Sequence, residues 1–221
     1  MTTFFGISTI TMIGIRYMRS LCGSRPLLVT ISGATRSGKS TMTERLEKRL
    51  LKLNHNVKAL HLDDFRAYTL GGTRVVDTSG RRNWETPNNI NFEVLLQNVN
   101  SNVRELSRER TNKRGVLLLE GFCILENKMV RDMSDIIFHL DISKAVCRER
   151  RRTSSKYSHP KRDWTFEQYF EEAIWPAHEA YMTQICDKWQ LEYPCLKIVP
   201  PGTPDEAVKI AMRAISQHLK A

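Results

Sequence analysis

One octapeptide, Gly33-Ala34-Thr35-Arg36-Ser37-Gly38-Lys39-Ser40, constrains this chain more than any other stretch. Ahead of it, Leu27-Leu28-Val29-Thr30-Ile31 is short, apolar and rich in β-branched residues, the signature of a buried strand. Behind it, Met42, Leu46, Leu50 and Leu53 recur at helical spacing, with Glu44, Glu47 and Lys48 on other faces. A strand, a glycine-punctuated loop ending in Lys-Ser, and a helix form a phosphate cradle. Glycine frees the backbone to wrap its N–H groups around phosphate oxygens, and the helix presents its positive end to the anion. Gly33, Ala34, Thr35, Arg36, Ser37, Gly38, Lys39, Ser40 and Thr41 are thus the expected ATP-binding set. In it Lys39 reaches the transferred phosphoryl group and the Ser40 hydroxyl ligates Mg²⁺.

The rest of the chain repeats the alternation. Further strands are expected at Val57–Leu62, Val116–Leu119, Ile136–Leu140 and Cys195–Val199. Between and after them, helices are expected at Phe92–Arg110, over residues 144–156, and across Phe166–Trp189 with a break or kink at Pro176. A last helix opens at Thr203-Pro204-Asp205-Glu206, with Thr203 as N-cap and Glu206 closing a capping box. The pattern predicts an α/β protein of the P-loop NTPase fold: a parallel sheet of about five strands with helices on both faces. At 221 residues, one domain over 26–221 suffices. Residues 1–25 read as an extension, either a disordered tail or, being Ser/Thr-rich and free of acids, a mitochondrial presequence. The apolar run Phe4–Ile15 is too short to span a bilayer, so no membrane partner is expected. Residues 66–90 form a long Gly-, Asn- and Arg-rich loop, a length that favours substrate binding over a tether.

The formal charge of +10 is concentrated rather than spread. The first acidic residue is Glu44, and a second basic excess runs from Lys144 to Arg162. Phosphate-binding segments account for much of it, leaving little support for a nucleic-acid partner. Five cysteines, an odd number without CxxC spacing, argue against a disulfide framework or a zinc site.

In open α/β sheets ligands collect at the carboxyl ends of strands. Asp63-Asp64, Glu120 and Asp141 all stand at such ends. A small-alcohol kinase needs one carboxylate to accept the proton of the attacking hydroxyl and another near the metal. Asp63 is the candidate base, with Lys39 the second catalytic residue, and Glu120 joins Ser40 in the metal shell. Asp141 reads as the N-cap of the following helix, and His178 as packing or surface.

Six segments then occur in a telling order: Gly33–Thr41, Leu62-Asp63-Asp64-Phe65, Asn83-Trp84-Glu85-x-Pro87, Leu118-Leu119-Glu120-Gly121-Phe122, Cys147–Arg152 and Tyr169-Phe170-x-x-x-Ile174-Trp175-Pro176. Together they resemble nicotinamide riboside kinases, relatives of uridine kinase, over about residues 26–200. The resemblance implies ATP-dependent, Mg²⁺-dependent phosphorylation of a nucleoside 5′-hydroxyl in the salvage of pyridine nucleotides. It implies Asp63 as catalytic carboxylate and Glu120 as magnesium-shell acid. Trp84 would stack on the nicotinamide ring, and Glu85 would bind the ribose hydroxyls. An aromatic face suits a cationic pyridinium, and a carboxylate accepts from neighbouring hydroxyls. The alternative for Trp84 is an anchor that packs its loop onto the domain. A helical lid over about 144–162 would clamp ATP through Arg148, Arg150, Arg151 and Arg152, of which helical geometry lets only one or two face the phosphates. Tyr157 would be a substrate-side residue just after the lid.

Ser155 stands where the family usually carries arginine, and Lys161 where it tends to carry aspartate. These departures leave nicotinic acid riboside, uridine and other nucleosides open as acceptors. A non-catalytic P-loop scaffold is disfavoured because Lys39 and Asp63 are both present. A cytoplasmic enzyme is expected, or a mitochondrial one if residues 1–25 direct import; a monomer would be sufficient.

Overall fold

The computed structural model describes residues 25–67, 83–109, 113–154 and 165–220. Five parallel strands lie in the order β2-β3-β1-β4-β5: β1 Leu27–Gly33, β2 Val57–His61, β3 Val116–Gly121, β4 Ile136–Leu140 and β5 Leu196–Val199. The helices are α1 Lys39–Lys52, α2 Phe92–Arg108, α3 Lys128–Met133, α4 Lys144–Arg152, α5 Phe166–Tyr169, α6 Trp175–Gln184, α7 Gln190–Glu192 and α8 Pro204–Lys220. This is the P-loop NTPase fold that the alternation predicts.

Strand periodicity splits the core into two layers. Leu27, Val29 and Ile31 of β1 and Val116 and Leu118 of β3 pack with Met42, Leu46 and Leu50 of α1 and Val208, Ala211 and Ile215 of α8. Leu28, Leu117 and Leu119 face the other way, onto Leu95 and Val99 of α2, Val130 of α3, and Tyr181, Ile185 and Trp189. Both faces of β1 and β3 are covered, which is why these strands read as unbroken apolar runs. A third, smaller cluster joins Ala34 of the phosphate loop to Ile142, Cys147, Tyr169 and Phe170.

Some local expectations are revised. Leu53 does not continue the buried face of α1; it ends the helix and is 47% exposed. The second strand stops at His61, and Leu62–Phe65 forms a 3₁₀ turn that lifts Asp63 off the sheet. Asp141 does not cap α4. Its backbone N–H pairs with Val199, and the Ser143 side chain accepts from Val146 N–H instead. At Pro176 the chain neither stops nor breaks. A π turn over Phe170–Ile174 precedes it, and Pro176 occupies the opening turn of α6, where its missing N–H costs least. The capping box at Thr203 and Glu206 forms as expected. Among the described residues Cys123, Cys147, Cys186 and Cys195 are free thiols, and no helix is long and apolar enough to cross a membrane.

Candidate active site

The phosphate loop leaves the carboxyl end of the central strand, flanked by β3 and β4. Its two glycines do different work. A Cβ on Gly33 would lie 2.6 Å from Ser37 Oγ and 2.8 Å from the Leu140 carbonyl oxygen, so close approach excludes a side chain. Gly38 has open space around it but a φ of 105°, so backbone conformation selects glycine there. Gly38 is also the N-cap of α1 and offers no side-chain cap, leaving the first N–H groups of the helix to a ligand. Lys39 Nζ donates to the Ala34 carbonyl oxygen at 2.8 Å, holding the loop curled. Burial lowers the Lys39 pKa, against the pull of Glu120, Asp63 and Glu85.

Register then places the acids. Glu120 of β3 stands between Ile31 of β1 and His61 of β2. Its Oε1 accepts from Ser40 Oγ at 3.0 Å and pairs with His61 Nδ1 at 2.9 Å. Burial pushes the Glu120 carboxyl up, but the His61 hydrogen bond, the Lys39 charge and the Ser40 hydroxyl outweigh it and hold the group below its ordinary value. The same bond raises the His61 pKa. Ser40 and Glu120 supply hard oxygen atoms suited to Mg²⁺, which keeps most of its shell for water and phosphate oxygens. Consistent with so sparse a donor set, no group of three or more His, Cys, Asp or Glu side chains among the described residues could hold a metal unaided.

A cleft of about 750 Å³ joins these parts, within the usual range for a small-molecule site. Its lining includes Thr35–Met42 from the phosphate loop and α1, Asp63, Arg66, Glu85, Glu120 and Phe122, Arg150, Arg151, Thr153 and Ser154 from α4 and the residues after it, and Val199–Pro204. Asp63 is 69% exposed, and Arg66 Nη2 donates to its Oδ1 at 2.7 Å. Asp64 is exposed and outside the lining.

The basic helix α4 sorts as its geometry requires. Arg150 and Arg151 line the cleft, whereas Arg148 pairs with Glu171 at 3.8 Å and Arg152 with Glu149 at 2.9 Å. Neither Arg148 nor Arg152 is among the residues that line the cleft; each is paired with an acid instead. Arg150 Nη1 donates to the Arg36 carbonyl oxygen at 3.4 Å. Arg151 is only 3% exposed and links two regions, donating to Thr35 Oγ1 at 2.5 Å and to Glu85 Oε1 at 3.2 Å.

Glu85 lies in the cleft as expected. Trp84 is not among the lining residues; it packs, partly buried, against the small cluster of Ala34, Tyr169 and Phe170. Tyr157, Ser155 and Lys161 lie outside the described residues, as does the end of the expected lid.

Sequence reasoning overlooked Arg66, His61 and the segment Val199–Pro204, and quoted Tyr169 without giving it a role. Arg66 stands three residues after Asp63, and Val199–Pro204 follow the last strand, so the rule that marked the acids could have marked both.

A Gly-x-x-x-x-Gly-Lys-Ser loop, a strand-end acid on its serine and a second acid in the same cleft form a phosphoryl-transfer constellation. Sequence relatives agree. This chain is 25% identical to nicotinamide riboside kinase 2 of Mus musculus over 169 residues, 72% of this chain and 81% of that protein. It is 24% identical to nicotinamide riboside kinase 1 of Homo sapiens over 177 residues, 76% and 83% of the two chains. It is 24% identical to uridine kinase of Clostridium tetani over 138 residues, 55% and 64%. The chain is a P-loop phosphotransferase. No protein-family model matches it. Among solved structures, a gluconokinase from Sinorhizobium meliloti superposes on this phosphotransferase with a TM-score of 0.46 and 13% identity, over 90% of this chain and 96% of that one.

Proposed function

We propose that this phosphotransferase moves the terminal phosphoryl group of ATP to the 5′-hydroxyl of nicotinamide riboside, giving the mononucleotide used in pyridine-nucleotide salvage. The observation that carries this reading is one cleft lined by Lys39, Ser40 and Glu120 together with Asp63 and Glu85. The first group fits a metal–triphosphate; the second fits an acceptor alcohol with a sugar diol. Bound Mg²⁺ would neutralise charge on the phosphates. The 5′-oxygen attacks the terminal phosphorus, the bond to the bridging oxygen breaks, and the hydroxyl proton passes to Asp63, which exchanges its Arg66 partner for the substrate. Lys39 leaves the Ala34 carbonyl for the phosphoryl oxygens, and Arg150 adds positive charge from the cleft wall. Glu85 orients the ribose hydroxyls, and Trp84 shapes the ring end through its loop. Nicotinic acid riboside shares every group this geometry addresses and is a second acceptor. We place the reaction in the cytosol, or in mitochondria if residues 1–25 are a presequence, with the enzyme acting as a monomer over a kinase domain of residues 26–221.

Resemblance to a uridine kinase over part of the chain favours one rival, a pyrimidine nucleoside as acceptor. Mg·ATP-dependent phosphorylation of nicotinamide riboside and uridine, measured in parallel, separates the two. Selective turnover of nicotinamide riboside is expected. Turnover of uridine alone would keep the roles of Lys39 and Asp63 and overturn the acceptor.

A further inference from the structure

The segment Tyr169–Pro176 has no part in the chemistry above, yet one of its side chains reaches the acceptor end. Tyr169 closes α5, a single turn that the Thr165–Gln168 capping box holds in place. The residue is 6% exposed, with the Arg151 guanidinium carbon 5.6 Å from the ring centroid. Its hydroxyl accepts from the Trp84 backbone N–H at 3.0 Å and donates to Glu85 Oε1 at 3.1 Å. One hydroxyl thus ties down two consecutive residues of a loop 84 positions away in sequence. Burial drives the phenol pKa far above its usual value, so the proton that the Glu85 bond needs stays in place.

The Glu85 carboxylate is held asymmetrically. Tyr169 and Arg151 both donate to Oε1, whereas Oε2 receives no hydrogen bond from the described residues. Two donors on one oxygen set the rotation of the carboxylate and leave the other oxygen to accept from a ligand hydroxyl. Glu120 repeats the device at the phosphate end, where Ser40 and His61 share one oxygen.

We propose that Tyr169 is a positioning residue for the acceptor: its hydroxyl fixes the Trp84 backbone and the Glu85 carboxylate so that the free Glu85 oxygen faces the sugar diol. This rests on the proposed nucleoside acceptor. It makes acceptor affinity depend on a hydroxyl that never touches the substrate.

Tyr169→Phe removes that hydroxyl and keeps the ring. A hydrogen bond to a charged group contributes enough that its loss should raise the acceptor KM about tenfold. The ATP KM and kcat should stay within about twofold of the parent, because the phosphate loop keeps all its own bonds. Hydrogen exchange should quicken in peptides covering residues 83–90 and stay unchanged over Gly33–Thr41. In a Glu85→Ala background the same substitution should leave the acceptor KM unmoved. An unchanged acceptor KM, a matching rise in the ATP KM, or exchange that quickens throughout the protein would each overturn the proposal. If the parent enzyme phosphorylates neither nicotinamide riboside nor uridine, the acceptor reading fails on its own. Exchange over residues 83–90 then decides the role of Tyr169: an unchanged rate in Tyr169→Phe overturns it.

Discussion

The two ends of the cleft are built by different means. The phosphate end is made of backbone and strand register: β1 delivers the loop, α1 its N-terminus, and pairing of β3 with β1 and β2 sets Glu120 between Ile31 and His61. Its key atoms come from segments that strand hydrogen bonds already align. The proposed acceptor end is made of side chains that meet across long stretches of chain. Glu85 is held by Arg151 from α4 and Tyr169 from α5, 66 and 84 residues away. Backbone-built sites tolerate little change in conformation, whereas side-chain-built sites can be retuned one residue at a time. A phosphoryl-transfer fold can therefore keep its donor end and vary its acceptor.

The sharpest test of this division is Asp63→Asn. Loss of the base should lower kcat by about a thousandfold, while ATP binding, followed by calorimetry, stays close to the parent. Near-parental turnover would remove Asp63 from the mechanism and leave only the phosphate end chemically active.

Trp84→Ala probes the other side with a smaller effect. Losing the packing of the indole on the Ala34–Tyr169–Phe170 cluster should loosen the loop that carries Glu85 and raise the acceptor KM about tenfold, with little change in the ATP KM. Equal effects on both substrates would show that the two ends are not separable. A rise confined to pyridine ribosides, with uridine unaffected, would instead assign the indole to the ring.

The last test reads stability rather than turnover and concerns the support behind the phosphate loop. His139 is fully buried behind the phosphate loop, stacked on His178 at 6.1 Å, with Nδ1 3.3 Å from Ser32 Oγ. Burial, His178 and Lys39 push its pKa down to about 3, from an ordinary 6.5. Between those values the unfolded chain takes up a proton that the folded chain refuses. Stability should therefore fall as pH drops from about 6.5 toward 3, by on the order of a few kcal/mol from this residue. In His139→Gln the melting temperature should depend less on pH across that window. An identical pH dependence in the two proteins would show that His139 does not set it.

How much of this was legible in the chain follows from the same division. That the phosphate loop, Asp63 and Glu120 line one cleft could be read because each position depends on neighbours within a few residues or on the rule that ligands gather at strand ends. That Arg150 and Arg151 line the cleft while Arg148 and Arg152 pair with acids was not legible, because a run of arginines does not say which face of α4 is turned to the cleft. That depends on Glu171, 23 residues on, and on Glu149. Leu53 was misassigned for a related reason, since helical spacing alone does not say where α1 ends.

By itself, the sequence determined that this chain forms a parallel sheet with a phosphate cradle at its centre, and which carboxylates could serve it. Those outcomes follow from local periodicity and from glycine conformation, which neighbouring residues decide. The tertiary structure alone decided that Tyr169 and Arg151 share one oxygen of Glu85, that His61 shares Glu120 with Ser40, and that only two of the four arginines face the cleft. Hydrogen bonds of that kind need atoms placed to within tenths of an ångström, across separations that only the packing of helices against the sheet can set.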